Sequence, residues 1–306
     1  MRKRKLRTDR LLILAGVLIL GVFLLVKGIS AIGGMIHNMA DRSETTEPTP
    51  EPTPTPVPTP TPIPLSDLEK TIQEKTAEYG GDWSVWIEDM TTFETLSYNN
   101  HPMVSASLIK LFTAGRYYQA CYNGEIKKTD KTDQMLDKMI RISDNNAWKS
   151  LETYIGHGTF KTGYNSVTKF AQEFGCPDTG RRLVTEGSKS ERNMTSAASV
   201  GKVLDAIYRG TYVSKECSEK ILDLMKQQYW TYKIPKGLPE GIKCANKTGE
   251  LNSVQNDSAI VYGAKKDYIL VIMTDKVPGG KAVDDIIEMS SVIYEFLNPD
   301  TETGGE

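Results

Sequence analysis

Apolar residues crowd the start of the chain and then disperse. Leu11 to Val26 contains no polar side chain, and beyond Lys27 a largely apolar stretch runs on to Ile36. A bilayer span needs about 20 apolar residues. Leu11–Val26 alone is short of that, but Lys27 can snorkel and Gly28–Ile36 can lengthen the helix. The preceding segment, MRKRKLRTDR, is strongly basic, which assigns it to the cytoplasm and everything after the helix to the outside. A cleaved signal peptide is the alternative. The apolar run is long for one and lacks a convincing small-x-small cleavage site, so an uncleaved anchor is expected.

Hydrophobic patterning then stops. From Glu47 to Pro64 the chain reads EPTPEPTPTPVPTPTPIP. Proline at nearly every second position fixes φ and removes donors, which rules out helix and sheet. An extended spacer rising about 3.1 Å per residue is expected. The predicted organisation is a basic tail (1–10), an anchor (11–36), a Pro/Thr-rich linker (37–64), a folded domain (65–300) and a tail (301–306).

Periodicity resumes at Leu65. LSDLEKTIQEKTAEY (Leu65–Tyr79) has helical spacing, with Ser66 as a candidate N-cap. DWSVWIEDMTTFETLSYN reads as two alternating strands around a Met-Thr-Thr turn. Ser107 to about Met225 is mainly helical, broken near Gly124, Gly156 and Pro177. Strand character returns after Pro235–Pro239, at Ile242–Thr248, Asp257–Gly263 and Tyr268–Thr274, with a tight turn at Lys265–Asp267. Ala282–Leu297 closes as an amphipathic helix. The expected fold is α+β: one antiparallel sheet built from both ends of the domain, flanked by helices, with an all-helical subdomain inserted. A ligand cleft belongs where sheet edge meets inserted block.

Composition changes this little. The 306 residues are 39% hydrophobic and 25% charged with a net charge of −2, which is ordinary for a globular chain and gives no reason to expect nucleic acid. Four cysteines (Cys121, Cys176, Cys217, Cys244) fall in the portion assigned to the outside. Disulfides could persist there, and sequence does not choose among the pairings or between them and buried thiols.

The chemistry lies in three short motifs. Ser107-Leu108-Ile109-Lys110 offers a nucleophile and a proton acceptor on one helical face. Ser-x-x-Lys recurs at Ser166–Lys169 and Ser199–Lys202, so the setting is what distinguishes Ser107. Ser105 can cap a helix there, leaving Ser107 in the first turn near free N–H groups and the positive end of the dipole. A capped helix with a solvated lysine is the bland account. For Lys110 to act as a base its pKa, ordinarily about 10.4, must be depressed by burial or a second cation. Lys247 is the candidate cation.

Ser143-Asp144-Asn145 occurs once, between two helical patterns. Helix capping would explain it alone. Functionally, Ser143 would relay a proton to the leaving group, Asn145 would bind the substrate amide and orient Lys110, and Asp144 would brace the loop. Lys-Thr-Gly occurs at Lys161–Gly163, expected in an interhelical loop, and at Lys247–Gly249, ending the apparent strand KCANKTGEL. On a sheet edge Lys247 and Thr248 can bind a carboxylate, and Gly249 lets a ligand approach the backbone. The N–H groups of Ser107 and Glu250 would form an oxyanion hole.

In this order, and with the flanking stretches IRISDNNAWKSL, NMTSAASVGKVLDAIY and KIPKGLPEGIKCANKTGELNSVQNDSAIVY, the chain from about Leu65 to Leu297 resembles the class A β-lactamase-like serine hydrolases, related to low-molecular-weight penicillin-binding proteins. The resemblance implies attack by Ser107 on a lactam carbonyl, proton transfer to Lys110 and an acyl-enzyme. Its substrate would be a β-lactam or a D-alanyl peptide. Family members that hydrolyse the acyl-enzyme carry a glutamate followed closely by an asparagine in a long loop. The matching segment, PDTGRRLVTEGSKSERNMTSA, offers Glu186 first and Glu191 second, neither with Glu-x-x-x-Asn spacing. Acylation is therefore better specified than turnover.

A Ser-His-Asp hydrolase is a poorer reading. The three histidines (His37, His101, His157) come without a Gly-x-Ser-x-Gly elbow. No His/Cys cluster has ligand spacing, so neither zinc nor another cofactor is expected. A D-alanyl-D-alanine carboxypeptidase and a non-catalytic cell-wall or β-lactam sensor remain alternatives.

Overall fold

The computed structural model describes residues 64–183 and 191–299. The expected anchor, nearly all of the linker, the C-terminal tail and Glu186 lie outside the described residues. Among the described residues no helix is long and apolar enough to cross a membrane.

Helix α1 (Leu65–Tyr79) forms where the pattern requires it, burying Leu65, Leu68, Ile72, Thr76 and Tyr79. Ser66 does not cap it. Pro64 holds the cap position, Ser66 falls inside the first turn, and the Leu65 N–H donates to Glu94 Oε1 at 3.2 Å.

Strands β1 (Asp82–Asp89) and β2 (Thr95–Tyr98) follow. Strands β6 (Lys243–Leu251), β7 (Val254–Tyr262) and β8 (Asp267–Asp275) come from the far end of the domain. Together they make a five-stranded antiparallel sheet in the order β2-β1-β8-β7-β6. The expected polar-apolar alternation holds only in edge strand β2; β1 is buried at every position after Asp82. Both faces of the central strands are covered, so alternation there sorts residues between two cores. Trp83, Val85, Ile87, Leu270 and Ile272 join the core under α1 and the terminal helix Gly279–Leu297. Trp86, Val271 and Met273 join the core on the opposite face.

The helical block comprises α2 (Ile109–Tyr122), α3 (Asp130–Arg141), α4 (Asn145–Ile155), α5 (Phe160–Glu173), α6 (Ala197–Tyr208) and α7 (Lys215–Lys226); Gly279–Leu297 is α8. A second, three-stranded sheet was not anticipated. Strands β3 (Met103–Val104), β4 (Gly180–Leu183) and β5 (Glu191–Thr195) pair in the order β3-β5-β4. β3 is two residues long, and GRRL and ERNMT hold one apolar residue each, so no period-two signal marks them.

The first Lys-Thr-Gly, Lys161–Gly163, lies inside α5 rather than in a loop. Its glycine has a packing reason: a Cβ on Gly163 would stand 1.9 Å from the Glu152 carbonyl oxygen of α4. Gly163→Ala must force the two helices apart, and is expected to cost about 1–3 kcal/mol. Urea unfolding should show a lower midpoint at unchanged slope; an unchanged midpoint would contradict this packing.

Candidate active site

Ser107 sits in a 3-10 turn, Ala106–Leu108, between β3 and α2. The turn is strained, with Ala106 at φ 45°, a backbone conformation that persists only where surroundings hold it. Both sheets supply that hold. Asn193, on β5, accepts from the Ser105 N–H (2.9 Å) and from Ser105 Oγ (3.0 Å). Asn256, on β7, donates from Nδ2 to the carbonyls of Val104 (3.0 Å) and Ser105 (3.2 Å). Ser105 therefore makes no side-chain cap; its hydroxyl ties the turn to the small sheet.

Gly249, two residues after Lys247 on edge strand β6, makes this arrangement possible. A Cβ there would stand 2.8 Å from the Ser105 carbonyl and 3.2 Å from the backbone nitrogens of Ser107 and Leu108. The missing side chain admits the protein's own nucleophile turn, whereas close approach by a ligand was the expectation.

Lys110, in the first turn of α2, is buried. Its Nζ donates to the Ser143 carbonyl (2.5 Å), Asn145 Oδ1 (2.8 Å) and Ser143 Oγ (3.3 Å). Those three bonds account for an ammonium's donors, so the loop takes the contacts expected toward Ser107. Burial, partly offset by the Asp144 charge, brings the Lys110 pKa down to about 8.

Ser143 has φ 58° and presents Oγ to two lysines, because Lys247 Nζ donates to it at 2.8 Å. With both lone pairs engaged, its own O–H remains able to donate. Lys247 is fully buried and also donates to the Thr248 carbonyl at 2.8 Å. Burial and then the Lys110 charge hold Lys247 well below the usual lysine range. Asp144 caps α4, accepting from the Ala147 N–H at 2.6 Å, and so fixes the bend carrying Ser143 and Asn145.

A cleft of about 410 Å³ is lined by Ser107, Lys110, Asn145, Trp148, Asn193 and Glu250 among others; Ser143, Lys247, Thr248 and Gly249 stand behind its wall. A larger hollow of about 590 Å³ holds the second Ser-x-x-Lys, Ser166 and Lys169, but neither Ser107 nor any of its candidate partners. Glu191 lines the Ser107 cleft and pairs with Arg181 Nε at 3.3 Å. His101 pairs with Asp82 at 3.0 Å and does not line the cleft, which removes it as a triad base for Ser107. Cys121, Cys176, Cys217 and Cys244 are all unpaired.

Sequence reasoning missed Asn256, Trp148 and the buried pair Lys233 and Asp257 behind β6. Asp257 accepts from Asn246 Nδ2 (3.1 Å) and the Ile234 N–H (3.1 Å), and burial raises its pKa to about 6. A signal was present: the polar run Gln255-Asn256-Asp257-Ser258 opens a central strand that is otherwise largely apolar, and buried polar groups of that kind need partners.

Sheet order, inserted helices and the location of the serine turn define a protein of the β-lactamase/transpeptidase fold. Residues 67–133 and 132–297 match the Beta-lactamase enzyme family, and the chain belongs to it. Among solved structures it is similar to one described as PBP-A, at 19% identity and TM-score 0.67, covering 77% of this chain and 97% of that one. It is similar to a β-lactamase from Sphaerobacter thermophilus DSM 20745, at 19% identity and TM-score 0.64, covering 77% and 98%. An ancestral class A β-lactamase (GNCA) aligns at 17% identity and TM-score 0.65, covering 74% and 99%.

Proposed function

We propose that this chain is a membrane-anchored, extracytoplasmic serine hydrolase that forms an acyl-enzyme on Ser107 from a β-lactam amide. The observation that carries the reading is the dehydrated lysine beside the serine turn. Lys110 is almost wholly buried with a pKa of about 8, so a usable fraction is neutral near physiological pH. In the proposed step Ser107 Oγ bonds to the carbonyl carbon as its proton passes to Lys110. The carbonyl electrons collapse back, the C–N bond breaks, and Ser143 relays the proton to the departing nitrogen. Backbone N–H groups of Ser107 and Glu250 hold the oxyanion, worth about 10²–10³ in rate per donor in comparable sites. Asn145 orients both Lys110 and the substrate amide, and Lys247 with Thr248 forms the strand against which the substrate lies. The apolar segment 11–36 and its basic flank support the anchor.

A second reading, a penicillin-binding protein or D,D-carboxypeptidase that keeps its acyl group longer, is favoured by the state of the cleft carboxylates. Glu191 is engaged by Arg181, and Glu250 by Tyr232 and Lys233. Freeing the acyl group requires a base for water, and Glu186 is the proposed candidate.

The two readings separate in a time course of chromogenic cephalosporin hydrolysis with intact-mass analysis of the full chain. Sustained turnover supports a β-lactamase. A stoichiometric burst that stops, with the adduct on Ser107, supports the penicillin-binding reading. If no adduct and no turnover appear, both readings fail for this substrate class.

A further inference from the structure

The Glu250 side chain has no part in the acylation chemistry, yet it is held firmly at the cleft wall. Residues two apart on a strand share a face, so Glu250 stands in the same row as Thr248, immediately beyond Gly249 on edge strand β6. It also lines the Ser107 cleft. This row is the one expected to receive a substrate carboxylate.

Its carboxylate is clamped. Glu250 Oε1 accepts from the Tyr232 hydroxyl and from Lys233 Nζ, the latter at 3.1 Å. Lys233 is fully buried, and its other bond goes to the Asn256 carbonyl at 3.2 Å. Burial acts to raise the Glu250 pKa, but Tyr232, Lys233 and Lys247 together hold it below the usual carboxylate range. By the same alternation Lys247 lies on the opposite face of β6, where it bonds to Ser143, so Lys233 is the lysine that clamps Glu250. The carboxylate presented to the cleft along this row is thus the protein's own.

We infer that Glu250 fills the carboxylate subsite from within, so that the cleft takes acyl donors lacking a carboxylate beside the scissile amide and discriminates against those that carry one. The inference rests on Ser107 being the nucleophile. An incoming carboxylate in this row would meet the Glu250 carboxylate, and like charges brought together at an interface are disfavoured. A neutral amide or ester group meets no such repulsion.

Benzylpenicillin and its methyl ester make the matched pair of probes, identical at the lactam and different only in that charge. Each acylates by opening the ring: the Ser107 Oγ–acyl bond forms, the lactam C–N bond breaks, and the serine proton ends on the ring nitrogen. Nothing leaves, so the chain gains the whole probe mass. Attack at the methyl ester instead would lose methanol and be visible as such.

Acylation rates are read by intact mass on the full chain, with peptide mapping to Ser107. The ester should acylate the native chain at least about tenfold faster than the free acid, and Glu250→Gln should shrink that ratio by about tenfold. Glu250→Ser repeats the comparison with a smaller side chain, and the native ratio stands without either variant. An adduct on Ser107 with the free acid reacting as fast as the ester overturns the role of Glu250 alone. If neither probe labels Ser107 in any variant, the nucleophile assignment falls, and this inference falls with it.

Discussion

Ser107→Ala is expected to abolish the covalent adduct, and Lys110→Ala to slow its formation by about 100- to 10,000-fold, the range a positioned general base supplies. The lysine's hydrogen bonds explain how it can serve. A protonated Nζ satisfies three acceptors; a neutral amine has two donors and one lone pair. The bond given up is the longest, to Ser143 Oγ at 3.3 Å, and that oxygen keeps its 2.8 Å bond from Lys247. Deprotonation thus strands no acceptor and frees a lone pair. Because the neutral form is the base, the acylation rate should climb as pH rises through about 8, the value to which burial lowers Lys110, and level off above. Lys110→Arg keeps a cation but holds its proton to above about pH 12, so only a low residual rate should remain. Acylation followed by intact mass between pH 6 and 9.5 checks both. A flat native profile, or an active Lys110→Arg variant, would remove Lys110 as the base.

Much of this site was legible because its motifs encode local geometry. Asp144 was expected to brace its loop and does so as a helix cap; Lys247–Gly249 was expected on a sheet edge and lies on β6. Errors arose where sequence spacing stood in for three-dimensional partners. Lys110 was expected to bond Ser107 across one helical face, yet its donors go to Ser143, 33 positions away, and to Asn145, the partner expected to orient it. Ser105 has a capping residue's chemistry but finds Asn193, 88 positions on. Gly249 reads as room for ligand, whereas the nearest atoms belong to Ser105, Ser107 and Leu108. Such pairings depend on how the two sheets meet at the turn, and no local pattern reports that. The Glu250 side chain shows the same limit: its role depends on Lys233, which reaches it from the Pro-Lys-Gly-Leu-Pro side of the strand.

Glu152→Gln is expected to stabilise the fold by about 3 kcal/mol at pH 8 and by less than about 1 kcal/mol at pH 5. Glu152 on α4 is almost fully buried. Its Oε1 accepts from Trp148 Nε1 (2.7 Å) and Thr113 Oγ1 (2.8 Å), whereas Oε2 is buried without a hydrogen-bond partner. Burial therefore prevails over these two bonds and the Arg181 charge, raising the pKa from 4.5 to about 7. A carboxyl whose pKa is raised by folding binds more protons folded than unfolded between those values. The stability it contributes is present below about pH 4.5 and is lost as pH rises through about 7, at about 1.4 kcal/mol per unit. Glutamine resembles the protonated acid: it keeps the acceptor for Trp148 and Thr113 and never ionises. The difference between variant and native chain isolates this group, because other titrations cancel where they do not contact it. Urea unfolding at pH 5 and pH 8 measures it, and an equal difference at the two values would refute the assignment. The same bonds fix Trp148, a wall of the Ser107 cleft, so ionisation of Glu152 couples the stability of the helical block to the shape of the site.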